Sequence, residues 1–82
     1  MTSSGHSTIS TIDCSALTIL STGGDWAETE DRTSCSSVSV RIFYTNGAGY
    51  STWTSTVTSG WTALIELTGN NQAKQSYHTA TR

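Results

Sequence analysis

Cys35-Ser36-Ser37-Val38-Ser39-Val40-Arg41-Ile42-Phe43-Tyr44-Thr45-Asn46-Gly47 is the stretch whose reading decides the fold. Val38, Val40, Ile42 and Tyr44 alternate with Ser39, Arg41, Phe43 and Thr45, the period of a strand with one buried face. A slip of one residue would turn the apolar set to solvent, so the register is strongly specified. Asn46-Gly47 then gives the strongest short hairpin signal. The next strand runs from about Tyr50 to Thr58, β-prone almost throughout, and ends on Ser59-Gly60. In residues 61–68, Trp61, Ala63, Ile65 and Leu67 alternate with Thr62, Leu64, Glu66 and Thr68, which places Trp61 in the core. After the turn Gly69-Asn70-Asn71, a weaker strand is expected around Ala73 to Thr81, carried mainly by Tyr77.

Upstream, residues 8–22 are rich in β-branched side chains and predict a strand with a bend near Asp13-Cys14. Ser21 to Ser34 reads as a polar loop opened by Gly23-Gly24. It holds Asp25, Glu28, Glu30 and Asp31, four of the chain's six acidic residues. Residues 1–7 are expected to form a loose tail, and residues 8–82 a single domain. No segment carries a helical period. About six short strands with regular turn signals predict an all-β fold, a small antiparallel β-sandwich or Greek-key barrel.

Composition narrows the function classes. The chain has 82 residues, of which only 34% are hydrophobic and 12% charged. Its core must be thin, and a chain of this size needs an additional staple. Four scattered basic residues and a net charge of −2 make no footprint for nucleic acid. No apolar run reaches the length of a membrane span. Met1-Thr2-Ser3-Ser4 leads into polar sequence without the ordered regions of a signal peptide, so the chain reads as a mature form or as a cytosolic protein. Cys14 and Cys35, an even pair in a small domain, favour a disulfide and a secreted location. Two buried free thiols are the alternative. A zinc site with His6 and His78 matches no ligand spacing of that metal.

The run from Cys35 to Gly47, the later Ser59-Gly60-Trp61-Thr62-Ala63-Leu64, and Cys14 on a preceding strand together resemble the tendamistat-type proteinaceous α-amylase inhibitors of actinobacteria. The resemblance spans about residues 14 to 80, and its most specific piece is Cys-x-x-Val-x-Val-x-Ile-x-Tyr. It implies a six-stranded antiparallel sandwich, a Cys14–Cys35 disulfide, secretion, and inhibition by plugging an enzyme's active site. The family carries a Trp-Arg-Tyr triplet between its cysteines, whose Arg faces the amylase carboxylates. Here the corresponding stretch is longer, and Ala27 and Glu28 follow Trp26. The family's second disulfide is absent, since this chain has two cysteines.

The remaining candidates are weighed by chemistry. Trp26, ringed by Asp25, Glu28 and Arg32, reads as a recognition element for a protein partner. The acidic stretch lacks the spacing of a calcium loop. Trp53 and Tyr50 differ in strand parity, so one of them is expected to face out and could stack on sugar. The Thr-x-Thr pairs at 52/54 and 56/58 are too few for an ice-binding array. No Gly-x-Ser-x-Gly elbow and no carboxylate pair outside the acidic stretch point to catalysis. The expectation is a non-enzymatic, monomeric, secreted binding protein without cofactor or metal. Its expected partner is a secreted glycoside hydrolase, an α-amylase in the first place, met through the segment between the cysteines. A carbohydrate or cell-surface binding module and an engineered scaffold with a replaced loop at residues 21–34 are the alternatives.

Overall fold

The computed structural model of the chain describes residues 6–21 and 23–82. Eight strands follow in order: β1 (His6–Ile12), β2 (Ser15–Ser21), β3 (Trp26–Thr33), β4 (Ser37–Thr45), β5 (Ser51–Trp53), β6 (Val57–Ser59), β7 (Thr62–Glu66) and β8 (Gln72–Thr81). They build a two-sheet sandwich. A five-stranded sheet runs β1-β8-β4, with β5 and β6 sharing the far edge of β4; a three-stranded sheet runs β2-β3-β7. The all-β class and the disulfide stand as the sequence indicates. One strand pair departs from the antiparallel expectation, since β1 runs parallel to β8.

Two expected strands are each divided, and a further strand, β3, stands where a loop is expected, which brings the number to eight. Residues 8–22 do not run on as one bent strand. The chain leaves the first sheet after Ile12 and enters the second at Ser15. Asp13 makes that corner with φ of 54°. The stretch 50–58 is split at residues 54–56 into β5 and β6. There Thr54 N donates to Ile42 O (2.8 Å), and Ile42 N donates to Thr54 Oγ1 (3.0 Å). A threonine hydroxyl therefore takes the place of a ladder carbonyl. The tail expected at 1–7 ends earlier, because β1 begins at His6; the rest of it lies outside the described residues.

The largest correction concerns residues 21–34. They are a hairpin, and its second arm, β3, is the central strand of the three-stranded sheet. Ala27 and Thr29 point inward and are fully buried, while Glu28 and Glu30 alternate with them on the outer face. Among the residues whose side chains are described, the core is made of Leu20, Ala27, Val38, Val40, Ile42, Ala63, Ala73 and Ala80, with Cys35 at its edge. Half of those eight residues are alanine, so the apolar area is small and the staple matters. Cys14 and Cys35 are bonded, with Cα atoms 5.3 Å apart. Each follows a residue of positive φ, Asp13 and Ser34, at the points where the chain crosses between sheets. The bridge thus ties both crossings at one end of the sandwich.

Candidate binding surface

β4 presents Val38, Val40 and Ile42 to the core, so Ser39, Arg41 and Phe43 face out. The register fixes what lies beside them. Arg41 is directly opposite Tyr77 on β8, and Phe43 is directly opposite Trp53 on β5. The Arg41 guanidinium carbon sits 4.5 Å from the Trp53 ring centroid and 5.3 Å from that of Tyr77. Phe43 packs against Trp53 with centroids 5.3 Å apart and planes tilted by 54°. A cation is therefore held between two rings, with a third ring bracing one of them. Cation–π contact and the rigid planar guanidinium both reduce the freedom of the side chain.

Around this stack, hydroxyl groups pair across the strands. Ser37 and Thr81 share a hydrogen bond of 2.8 Å, Ser39 pairs with Thr79, and Thr45 with Ser51 (2.9 Å). Among the described residues Arg41 has no acidic partner, and its Nε is buried without a hydrogen bond. A preorganised positive charge flanked by Trp, Tyr and Phe, in a field of hydroxyls, is the composition of an interface anchor.

The residues expected to form the recognition loop do not assemble into one. Asp25 is a structural corner with φ of 56°. Its Oδ1 accepts from Ala73 N (3.0 Å) and its carbonyl from Leu67 N (2.9 Å). Trp26 folds over its own hairpin, so that a Cβ on Gly24 would stand 2.7 Å from the indole Nε1. Glu28 is half-buried on the outer face of β3. Arg32 is exposed and paired with Glu30 at 3.5 Å, a contact worth at most about 1 kcal/mol. Trp53 and Tyr50 are both exposed, at 37% and 73%, but one lies on β5 and the other in the loop before it. Trp53 has Arg41 over its ring, and it serves the stack rather than an open platform. Trp61 is not in the core. It is 75% exposed, because β7 starts at Thr62 and Trp61 belongs to the crossing between the sheets.

Sequence reasoning missed the buried polar centre. His78 is fully buried on β8 between Thr29 Oγ1 (2.6 Å from Nδ1) and Ser76 Oγ (2.7 Å from Nε2). Thr29 Oγ1 donates its one hydrogen to Ser39 O (2.8 Å), so it must accept from Nδ1–H. Nε2 is then the acceptor, and Ser76 donates to it. The chain of bonds is complete with a neutral imidazole. Burial lowers the His78 pKa to about 4. Ser76 and His78 have the contact of a nucleophile and base, but Ser76 is 2% exposed and no substrate reaches it. The group bolts the two sheets together. Comparison with protein-family models, curated proteins and solved structures finds no match.

Proposed function

We propose that this chain is a small secreted binding protein whose contact surface is the outer face of the five-stranded sheet, and that its target is an acidic cleft such as that of a secreted glycoside hydrolase. The observation that carries the reading is Arg41, held between Trp53 and Tyr77 with no counter-charge among the described residues. Glycoside hydrolases use a pair of carboxylates at the scissile bond. A fixed guanidinium with aromatic flanks is complementary to such a site in charge and in shape. Trp, Arg and Tyr are also the residue types of the triplet in the family that the sequence resembles. Here they come from three strands and meet in space. The disulfide suits an oxidising, extracellular setting.

The test is residual activity of a panel of α-amylases and other glycoside hydrolases with micromolar protein, over a range of substrate concentrations. Inhibition that raises KM and leaves kcat unchanged supports a plugged active site. A panel in which no enzyme loses activity sinks the hydrolase reading.

A further inference from the structure

At the end of the sandwich remote from the disulfide, three connections converge: the β2–β3 turn, the β4–β5 loop and the β7–β8 turn. They border an open polar cavity of about 430 Å³ lined by Asp25, Asn46, Gly47, Asn70, Asn71 and Gln72 among others. We infer that this cavity is a saccharide site, in which carboxamides and one carboxylate bind the vicinal hydroxyls of a mono- or disaccharide unit. It is separate from the outer-face reading and stands or falls independently of it.

The hydrogen-bond inventory carries the inference. Asn46 Oδ1 accepts from Ala48 N (2.9 Å) and Tyr50 N (3.0 Å), which leaves its NH₂ as the available end. Gln72 Oε1 accepts from Lys74 Nζ (3.4 Å), which likewise leaves an NH₂. Asn71 Nδ2 donates to Thr68 O (2.9 Å), which leaves its oxygen. Asp25 spends one oxygen on Ala73 N and keeps the other. Asn70 makes no side-chain hydrogen bond among the described residues. The set therefore offers donors and acceptors side by side. A hydroxyl group is both, and adjacent hydroxyls match such a mixture.

Other ligands fit less well. The lining residues carry no cation of their own to hold phosphate or sulfate, with Lys74 engaged on Gln72 at the edge, and no large apolar side chain to hold a lipid. A metal ion would meet the N–H groups of Asn46 and Gln72 as well as oxygens, which opposes its charge. One point of the wall is tightly packed. A Cβ on Gly47 would lie 2.9 Å from Asn70 Cβ, so the two loops touch where only glycine fits. The volume falls within the usual range for small-molecule sites.

The experiment is a titration of isotope-labelled protein by NMR with glucose, galactose, mannose, N-acetylglucosamine, maltose and cellobiose at millimolar levels. Calcium chloride and sodium phosphate serve as separate probes. The expected result is saturable shifts for at least one sugar at residues 46–49 and 69–72, including the side-chain NH₂ signals of Asn46 and Gln72. Asn70→Ala, which removes no internal bond, should keep the dispersed spectrum and weaken that sugar about tenfold, the loss of one good hydrogen bond. Gln72→Ala should act in the same direction. Three outcomes overturn the inference: no saturable shift with any sugar, shifts that map around Trp53 instead, or the same residues responding to calcium or phosphate and not to sugar.

Discussion

At the scale of the residue, His78 shows how a polar group sits in so small a core. Every ring nitrogen is bonded, and only the neutral ring satisfies the chain from Ser76 to Ser39. The consequence for pH follows from linkage. The ordinary value of 6.5 applies in the unfolded chain, against about 4 in the fold. Between these values the unfolded chain holds the extra proton, so stability is full above about pH 6.5 and falls as pH drops toward 4. The loss should approach roughly 3 kcal/mol. Urea unfolding at pH 7 and pH 4.5 reads it, and His78→Gln should flatten the difference. Thr29→Val leaves Nδ1–H without its acceptor and should cost about 1–3 kcal/mol at neutral pH. No local pattern signals this centre. Thr29 lies in a polar, acidic stretch, and its partner His78 is 49 residues away.

At the scale of the element, legibility followed the size of the inward side chains. β4 announces itself because Val38, Val40 and Ile42 fill its inner face. β3 is equally central, yet its inward residues are Ala27 and Thr29, which carry no apolar pattern. The acids on its outer face imitate a loop. β8 is the longest strand, but Ala73, Ser76, His78 and Ala80 make its inner face, so only a weak strand was visible. Trp61 shares the parity of Ala63 and Ile65 but lies one residue before the start of β7, where strand parity no longer sets its direction. The break between β5 and β6 carries no turn signal, because Ser55 is flanked by β-prone Thr54 and Thr56 with no Gly, Pro, Asn or Asp beside them. It also blunts one edge of the larger sheet, which discourages pairing with another chain. Thr54→Val removes the hydroxyl that Ile42 N uses and should destabilise by about 1–2 kcal/mol. Comparison with Thr54→Ser, which keeps the oxygen, by thermal unfolding checks that the hydroxyl is the cause.

At the scale of the whole molecule, a thin core is bound by a bridge at one end and by hydrogen-bonded turns at the other. The bridge closes a separation of 21 residues. The Cys14→Ser, Cys35→Ser double variant should lose roughly 3 kcal/mol, read as a lower denaturant midpoint. The two sheets also present unlike outer faces. One carries Arg41 in its aromatic stack, the other Glu28 and Glu30 on β3. The parity of β4 already placed Arg41 outside, and the Asn46-Gly47 signal brought β5 alongside. Tyr77 could not be foreseen, since its pairing with Arg41 spans a long reach of chain. On the proposed function, the stack makes the contact and the segment between the cysteines does not. The most direct measurement sets Arg41→Ala beside Arg32→Ala in the same assay against the hydrolase that the wild-type chain inhibits. Loss of a buried interface anchor should weaken inhibition roughly thirty-fold for Arg41→Ala, and Arg32→Ala should leave it unchanged. The reverse pattern, with Arg32→Ala abolishing inhibition and Arg41→Ala silent, would contradict the account and return the site to β3.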